Sequence, residues 1–348
     1  MSDLVEDLLA GKHSALARVI TKIENRSPGY RDVVSDLHQH TGDADIVGVT
    51  GSPGAGKSTL VDKVAAAYRK EGLTVGVIAI DPSSPYSGGA VLGDRIRMAS
   101  NAGDMDVFFR SMSARGSLGG LSTATTDAVT ALDAFGKDKI IVETVGAGQN
   151  EVDIVRTADT VAVLVPPGSG DDVQMLKAGI LEIGDVFVVN KADLDGADRT
   201  VQQLREMLQN RGGQGRGGHH GPDQHAETHA GPDEVGPDDE TATESWSPPI
   251  VETVANRAEG VDEFITALAD HGDFLDRTGR RDEQERARFA AEIRTLLRED
   301  ANGLVTRELD RKGGIDQAIS DVVARETDPY TVVDDVLAPL RECLDRDA

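Results

Sequence analysis

Residues 51–59 read Gly-Ser-Pro-Gly-Ala-Gly-Lys-Ser-Thr, directly after the apolar run DIVGVT (45–50) and directly before a stretch with helical periodicity. This is G-x-x-x-x-G-K-[ST] in a strand–loop–helix setting. The glycines let consecutive backbone N–H groups converge on one anion, and the helix N-terminus behind them adds positive potential. Such a loop needs a strand that feeds it from inside a sheet and a helix that returns across the sheet. Continuous Val/Ile-rich runs elsewhere supply the sheet: TVGVIAID (74–81), DVFFRSM (106–112), KIIVETVG (139–146), TVAVLVPP (160–167), DVFVVNKAD (185–193) and PPIVETVA (248–255). Runs of this kind, alternating with helical stretches, predict an α/β fold with a doubly wound, mostly parallel sheet covered on both faces.

The motif also predicts chemistry. Backbone amides of Gly51, Gly54, Ala55, Gly56, Lys57 and Thr59 would cradle phosphates. The Lys57 ammonium would neutralise β- and γ-phosphate charge, and the Ser58 hydroxyl would ligate Mg²⁺. An ordinary Gly-rich turn is the competing reading, and the strand and helix on either side disfavour it. The base is read further on. Asn190-Lys191-Ala192-Asp193 is an N-K-x-D at a strand end. The Asp193 carboxylate can accept from N1–H and the 2-amino group of guanine, donors that adenine lacks in that arrangement. GTP and its product GDP are therefore the expected nucleotides. A later loop, Thr253-Val254-Ala255-Asn256, lies where a last guanine-contacting loop is expected.

Where many phosphate-loop GTPases place Asp-x-x-Gly, this chain has Glu143-Thr144-Val145-Gly146. Glu143 reaches further than Asp and would hold Mg²⁺ through a water. The Gly146 amide would sense the γ-phosphate, as in order–disorder switches. Asp81, ending another strand in AIDPSSPYSGG, is a further candidate for the metal's shell, and Asp94 lies in LGDRIRM on a segment expected to move. No glutamine follows Gly146 directly; Gln149 stands three residues on. Slow intrinsic hydrolysis is expected, because phosphoryl transfer depends on positioning that this segment supplies incompletely.

Acids outnumber bases 61 to 36, a formal charge of −25. Such a surface repels phosphodiester backbones and anionic lipid, so neither nucleic acid nor membrane is an expected partner. Arginine-rich, lysine-poor acidity suggests a cytosol of high salt, where screening tolerates the self-repulsion. Cys343 is the only cysteine, which excludes an intramolecular disulfide. The acidic start lacks a basic leader, and no apolar run approaches about 18 residues, so a cytoplasmic protein is expected.

Organisation follows from composition. Residues 1–43 form an N-terminal helical arm, with 3–24 read as one helix through Leu16, Val19, Ile20 and Ile23 and a break at Ser27-Pro28-Gly29. Residues 44–272 form the nucleotide-binding domain. Within it, 209–247 is rich in Gly, Pro, His and acids and is expected to be a disordered insertion. Residues 273–348 form a C-terminal helical region with a stripe of Phe289, Ile293, Leu296 and Leu297.

GSPGAGKSTL, IAIDPSSPYSGGAVLGDRIRM, RSMSARGSLGGLS, VETVGAGQNEVD and NKADL together resemble the MeaB/ArgK family of P-loop GTPases, over nearly the whole chain. The resemblance implies GTP binding with Mg²⁺ and homodimers formed through C-terminal helices. It implies a client, adenosylcobalamin-dependent methylmalonyl-CoA mutase or a related mutase, whose cofactor is loaded or protected. It places Ser58, Asp81, Asp94 and Glu143 around Mg²⁺ and the γ-phosphate. It also implies that Lys177, in PPGSGDDVQMLKAG, approaches the nucleotide when the partner docks. Proteins of this group are also labelled lysine/arginine/ornithine transport kinases.

Two alternatives have their own signals. His219, His220, His225 and His229 resemble the tracts of nickel-insertion GTPases, although their spacing matches no preformed metal site. An ATP-dependent kinase of an arginine/ornithine transport system is the other, and the N-K-x-D speaks against it.

Overall fold

The computed structural model describes residues 2–81, 99–101, 103–113, 123–144, 154, 157–168, 178–212 and 244–346. In chain order the described elements are α1 (Asp3–Leu9), α2 (His13–Glu24), α3 (Tyr30–His38), β1 (Asp45–Gly51), α4 (Lys57–Lys70), β2 (Val75–Asp81), β3 (Val107–Ser113), α5 (Thr123–Ala134), β4 (Lys139–Thr144) and β5 (Thr160–Val165). They continue with α6 (Ala178–Ile183), β6 (Val186–Asn190), α7 (Ala197–Gly212), β7 (Ile250–Thr253), α8 (Val261–Thr278), α9 (Arg280–Arg311), α10 (Gly314–Val323) and α11 (Pro329–Arg346).

Every Val/Ile-rich run becomes a strand. All pair in parallel, in the order β3-β2-β4-β1-β5-β6-β7. The chain therefore crosses from one side of β1 to the other between β4 and β5, which makes the end of β1 the topological switch point where such sheets bind ligands. Both faces are covered, as continuous apolar strands require. On one face, Ile78, Ile80, Ile140, Val142, Val163 and Phe187 pack with α2, α3, α5 and α7. On the other, Val47, Val49, Val77 and Leu164 pack with Leu60 and Val64 of α4 and Phe264 and Leu268 of α8.

The expected helix over 3–24 is two helices. Gly11 adopts φ 78°, a left-handed conformation that ends α1 and turns the chain into α2. A third helix, α3, was not anticipated from the sequence. Val5, Leu8, Leu16, Ile20 and Leu37 are fully buried in the same core as the sheet, so the arm and the sheet are one unit.

That unit runs from Met1 to Gln284. The expected boundary at 272/273 falls inside α8, whose Phe274 and Leu275 are buried. Helix α7 takes in residues 209–212 of the expected insertion. At the insertion's other end, Trp246 donates from its indole N–H to the Asp185 carbonyl (2.8 Å) and packs on the His271 and Phe274 rings. Residues 213–243, with the four histidines of the nickel reading, lie outside the described residues.

His271 is 2% exposed at the N-terminal edge of the sheet. Its Nδ1 is 2.8 Å from the Thr160 hydroxyl. Burial pushes its pKa down to about 4, and the charges of Arg281 and Arg280 act in the same direction. The Asp185 carboxylate, 3.5 Å from Nε2, opposes them. The unfolded chain takes up this proton near pH 6.5 and the folded one near 4. Between those values the unfolded state binds more protons, so stability falls as pH falls. The loss at full protonation is of order 3 kcal/mol. Thermal melting between pH 7 and 4 is expected to show a steeper decline below pH 6.5 for the native chain than for His271→Gln.

The second unit, Glu285–Ala348, contains the rest of α9 with α10 and α11. Among its described residues Val336 is the buried apolar side chain. Ile293, Leu297, Ile315, Ile319, Val323 and Tyr330 are exposed.

Candidate functional site

The C-terminal edge of the sheet gathers the motif residues. β1 ends in Gly51 and leads into the phosphate loop. β2 ends in Asp81, β4 carries Glu143, β6 ends in Asn190 and β7 ends in Thr253. Two glycines are there for space as much as conformation. Gly51 has φ 131°, and a Cβ on it would lie 2.1 Å from the Leu164 carbonyl oxygen of β5. Gly56 has φ 90°, and a Cβ on it would lie 2.4 Å from Asn190 Nδ2. The loop thus passes so close to the N-K-x-D segment that only hydrogen fits between them.

That closeness joins the two halves of the site. Asn190 donates from Nδ2 to the Ala55 carbonyl (2.7 Å), and Lys191 donates from Nζ to the Gly54 carbonyl (2.8 Å). Lys191 has φ 63°, a left-handed conformation uncommon outside glycine, which turns its side chain back over the loop. Thr253 Oγ1 and the Ala255 N–H both donate to Asn190 Oδ1, at 3.0 and 3.1 Å. Thr253 and Ala255 therefore position Asn190. Val254 forms an isolated bridge with Glu259, closing a tight turn over 254–259.

Lys57 is the first residue of α4, just inside the helix N-terminus. Its buried ammonium donates to the carbonyls of Gly51 (2.7 Å) and Ser52 (3.0 Å), which holds a positive charge within the loop. Ser58 donates to Glu143 Oε1 at 2.5 Å, across from α4 to β4. Glu143 is 2% exposed. A serine hydroxyl and a buried carboxylate in contact beside a phosphate loop are hard oxygen donors, the set that suits Mg²⁺. Thr59 points outward and is exposed.

Asp193 stands beyond Lys191 with its carboxylate partly exposed, and Oδ2 lies 3.4 Å from Arg257 Nη2. Arg257 was not singled out from the sequence. The cation in Val-Ala-Asn-Arg-Ala-Glu was the available signal. Asp62 was also passed over: one turn into α4, it accepts from the Ser100 N–H (3.0 Å) and Asn101 Nδ2 (3.1 Å), tying the phosphate-loop helix to the approach to β3. The Asp81 side chain and all of Asp94, Gly146, Gln149 and Lys177 lie outside the described residues.

The arrangement joins an amide-lined loop with an internal ammonium to an oxygen pair suited to a divalent cation, and to a carboxylate one loop away. It is chemically suited to a nucleoside triphosphate whose purine presents donors. Comparisons with known proteins agree in kind. The family profile described as "Methylmalonyl Co-A mutase-associated GTPase MeaB" matches residues 16–309. A Pyrococcus abyssi protein named for an inferred GTPase activity is 46% identical over 337 residues, 97% of this chain and 96% of its own. The mouse mitochondrial methylmalonic aciduria type A homolog is 34% identical over 206 residues, 55% of this chain and 50% of its own. A crystal structure titled as a LAO/AO transport system kinase shares the fold, with a TM-score of 0.65, 24% identity and 97% of each chain covered.

Proposed function

The chain belongs to the MeaB family of methylmalonyl Co-A mutase-associated GTPases, and from that premise we propose that it hydrolyses GTP in order to assist an adenosylcobalamin-dependent methylmalonyl-CoA mutase, loading or protecting its cofactor. The observation that carries the nucleotide half of this reading is the pair of bonds from Asn190 and Lys191 to the phosphate-loop carbonyls. They hold the guanine-reading segment and the phosphate cradle as one site. The client rests on family membership and on the name of the mouse relative.

Mg²⁺ is the proposed metal, held by Ser58 and Glu143, with Asp81 and Asp94 completing its surroundings. When bound it would neutralise charge on the β- and γ-phosphate oxygens. Lys57 adds a fixed positive charge, and the Gly146 amide senses the γ-phosphate. Intrinsic turnover is slow, and docking of the mutase accelerates it by bringing Lys177 toward the nucleotide. The exposed apolar residues of the second unit support a homodimer, since burying them against a second copy removes a surface that water disfavours. No described helix is long and apolar enough to cross a membrane, which is compatible with the cytoplasmic location proposed.

The test is capture of mutase subunits on the immobilised chain in the presence of GTP or GDP. Nucleotide-dependent capture is expected. Equal capture in both states, or none, would remove the chaperone reading.

A further inference from the structure

Asp193 has a second suitor within the same unit. Arg257 lies in a 3-10 turn (Ala255–Arg257) directly after the loop that positions Asn190. Its guanidinium reaches Asp193 Oδ2 (3.4 Å) with Nη2 and Glu259 Oε1 (3.1 Å) with Nε. The base of this side chain is held firmly. The Arg257 N–H donates to the Val254 carbonyl at 2.9 Å, and Val254 and Glu259 exchange backbone bonds across the turn. Ala258, at φ 58°, takes the left-handed conformation that closes it. The neighbouring Ala255 N–H is fixed on Asn190. Arg257 is thus aimed at Asp193 by the element that organises the base-reading segment.

Like the guanine edge, a guanidinium presents N–H groups to a carboxylate, and Arg257 brings one of its nitrogens, Nη2, to Asp193 Oδ2 while its Nε faces Glu259. The N1–H and 2-amino group of guanine and the Nη2 of Arg257 therefore draw on the same carboxylate. We propose that Arg257 is a built-in competitor for Asp193, which weakens the hold on guanine nucleotides and speeds their release. This rests on Asp193 as the guanine reader. Adenine makes no claim on Asp193, so the ion pair persists beside it, and Arg257 lowers the affinity for guanine while leaving that for adenine unchanged. Both partners are partly exposed, with side chains 51% and 37% accessible. The competition is therefore modest and sensitive to salt.

The test compares the native chain with Arg257→Gln and Arg257→Lys. GDP and ADP affinities are measured calorimetrically at low and molar salt, and release of a fluorescent GDP is followed by rapid mixing. Arg257→Gln is expected to bind GDP roughly two- to five-fold more tightly at low salt, the range open to an exposed ion pair, with correspondingly slower release. The gap should close at molar salt, and Arg257→Lys, which keeps the charge but loses the planar fork, should fall between. ADP binding should not change. Unchanged or weaker GDP binding by Arg257→Gln at low salt, with the native chain still preferring GDP to ADP, overturns the competition and leaves the guanine site standing. A native chain that binds ADP as tightly as GDP removes both.

Discussion

Asp193→Asn is expected to lose its preference for guanine nucleotides and to acquire one for xanthine nucleotides. Guanine presents two donors, N1–H and the 2-amino group, and a carboxylate accepts both. Each bond to a charged acceptor contributes about 1.5–3 kcal/mol, so losing the pair would cost roughly 10²- to 10⁴-fold in affinity. An amide at the same place offers one acceptor and one donor. Xanthine, with a carbonyl at C2 beside N1–H, matches that pattern, whereas guanine would set its amino group against the amide's own N–H. The surrounding structure should tolerate the change. Asp193 is partly exposed, its partner Arg257 is more exposed still, and Asn190 and Lys191 keep their bonds to the phosphate loop. Titration of GDP and XDP into both proteins checks it. A variant that still prefers GDP would show that the base is read elsewhere.

The second large effect is expected at Glu143. Glu143→Gln preserves shape and can still meet the Ser58 hydroxyl, which lies 2.5 Å from Oε1. It removes a buried negative charge from the oxygen pair that suits Mg²⁺. Metal-assisted charge stabilisation supplies several kcal/mol of the phosphoryl-transfer barrier. Loss of about 3 kcal/mol corresponds to two powers of ten in kcat. GDP affinity measured with EDTA should stay within about a factor of two, because Lys57 keeps its bonds to the Gly51 and Ser52 carbonyls and Asp193 is unchanged. Wild-type turnover by Glu143→Gln would place the metal outside this carboxylate's reach.

Sequence patterning made the strands and the motif segments at their ends legible, and the reason is specific. Strands buried on both faces have no polar side, so TVAVLV and VFVVN stand out as unbroken apolar runs that no surface helix could carry. The loop needs glycine at Gly51 and Gly56 because the β5 backbone and Asn190 crowd those positions, and this leaves a mark in the residue string. What was missed depends on proximity in space. Tyr30–His38 forms only about two turns, too short for its Val33 and Leu37 to establish a period. Trp246 sits in a run of Ser, Glu and Pro, and its role appears only once Asp185 and His271 are beside it. Arg257 is one arginine among many until the turn after β7 carries it to Asp193. The order of strands across the sheet is likewise a matter of crossovers that no local pattern encodes.

The most direct test is calorimetric titration of the purified chain with GDP and with ADP, each with Mg²⁺. The account predicts saturable one-to-one binding of GDP, with ADP weaker by at least two orders of magnitude. Comparable affinities for the two, or tighter binding of ADP, would contradict it.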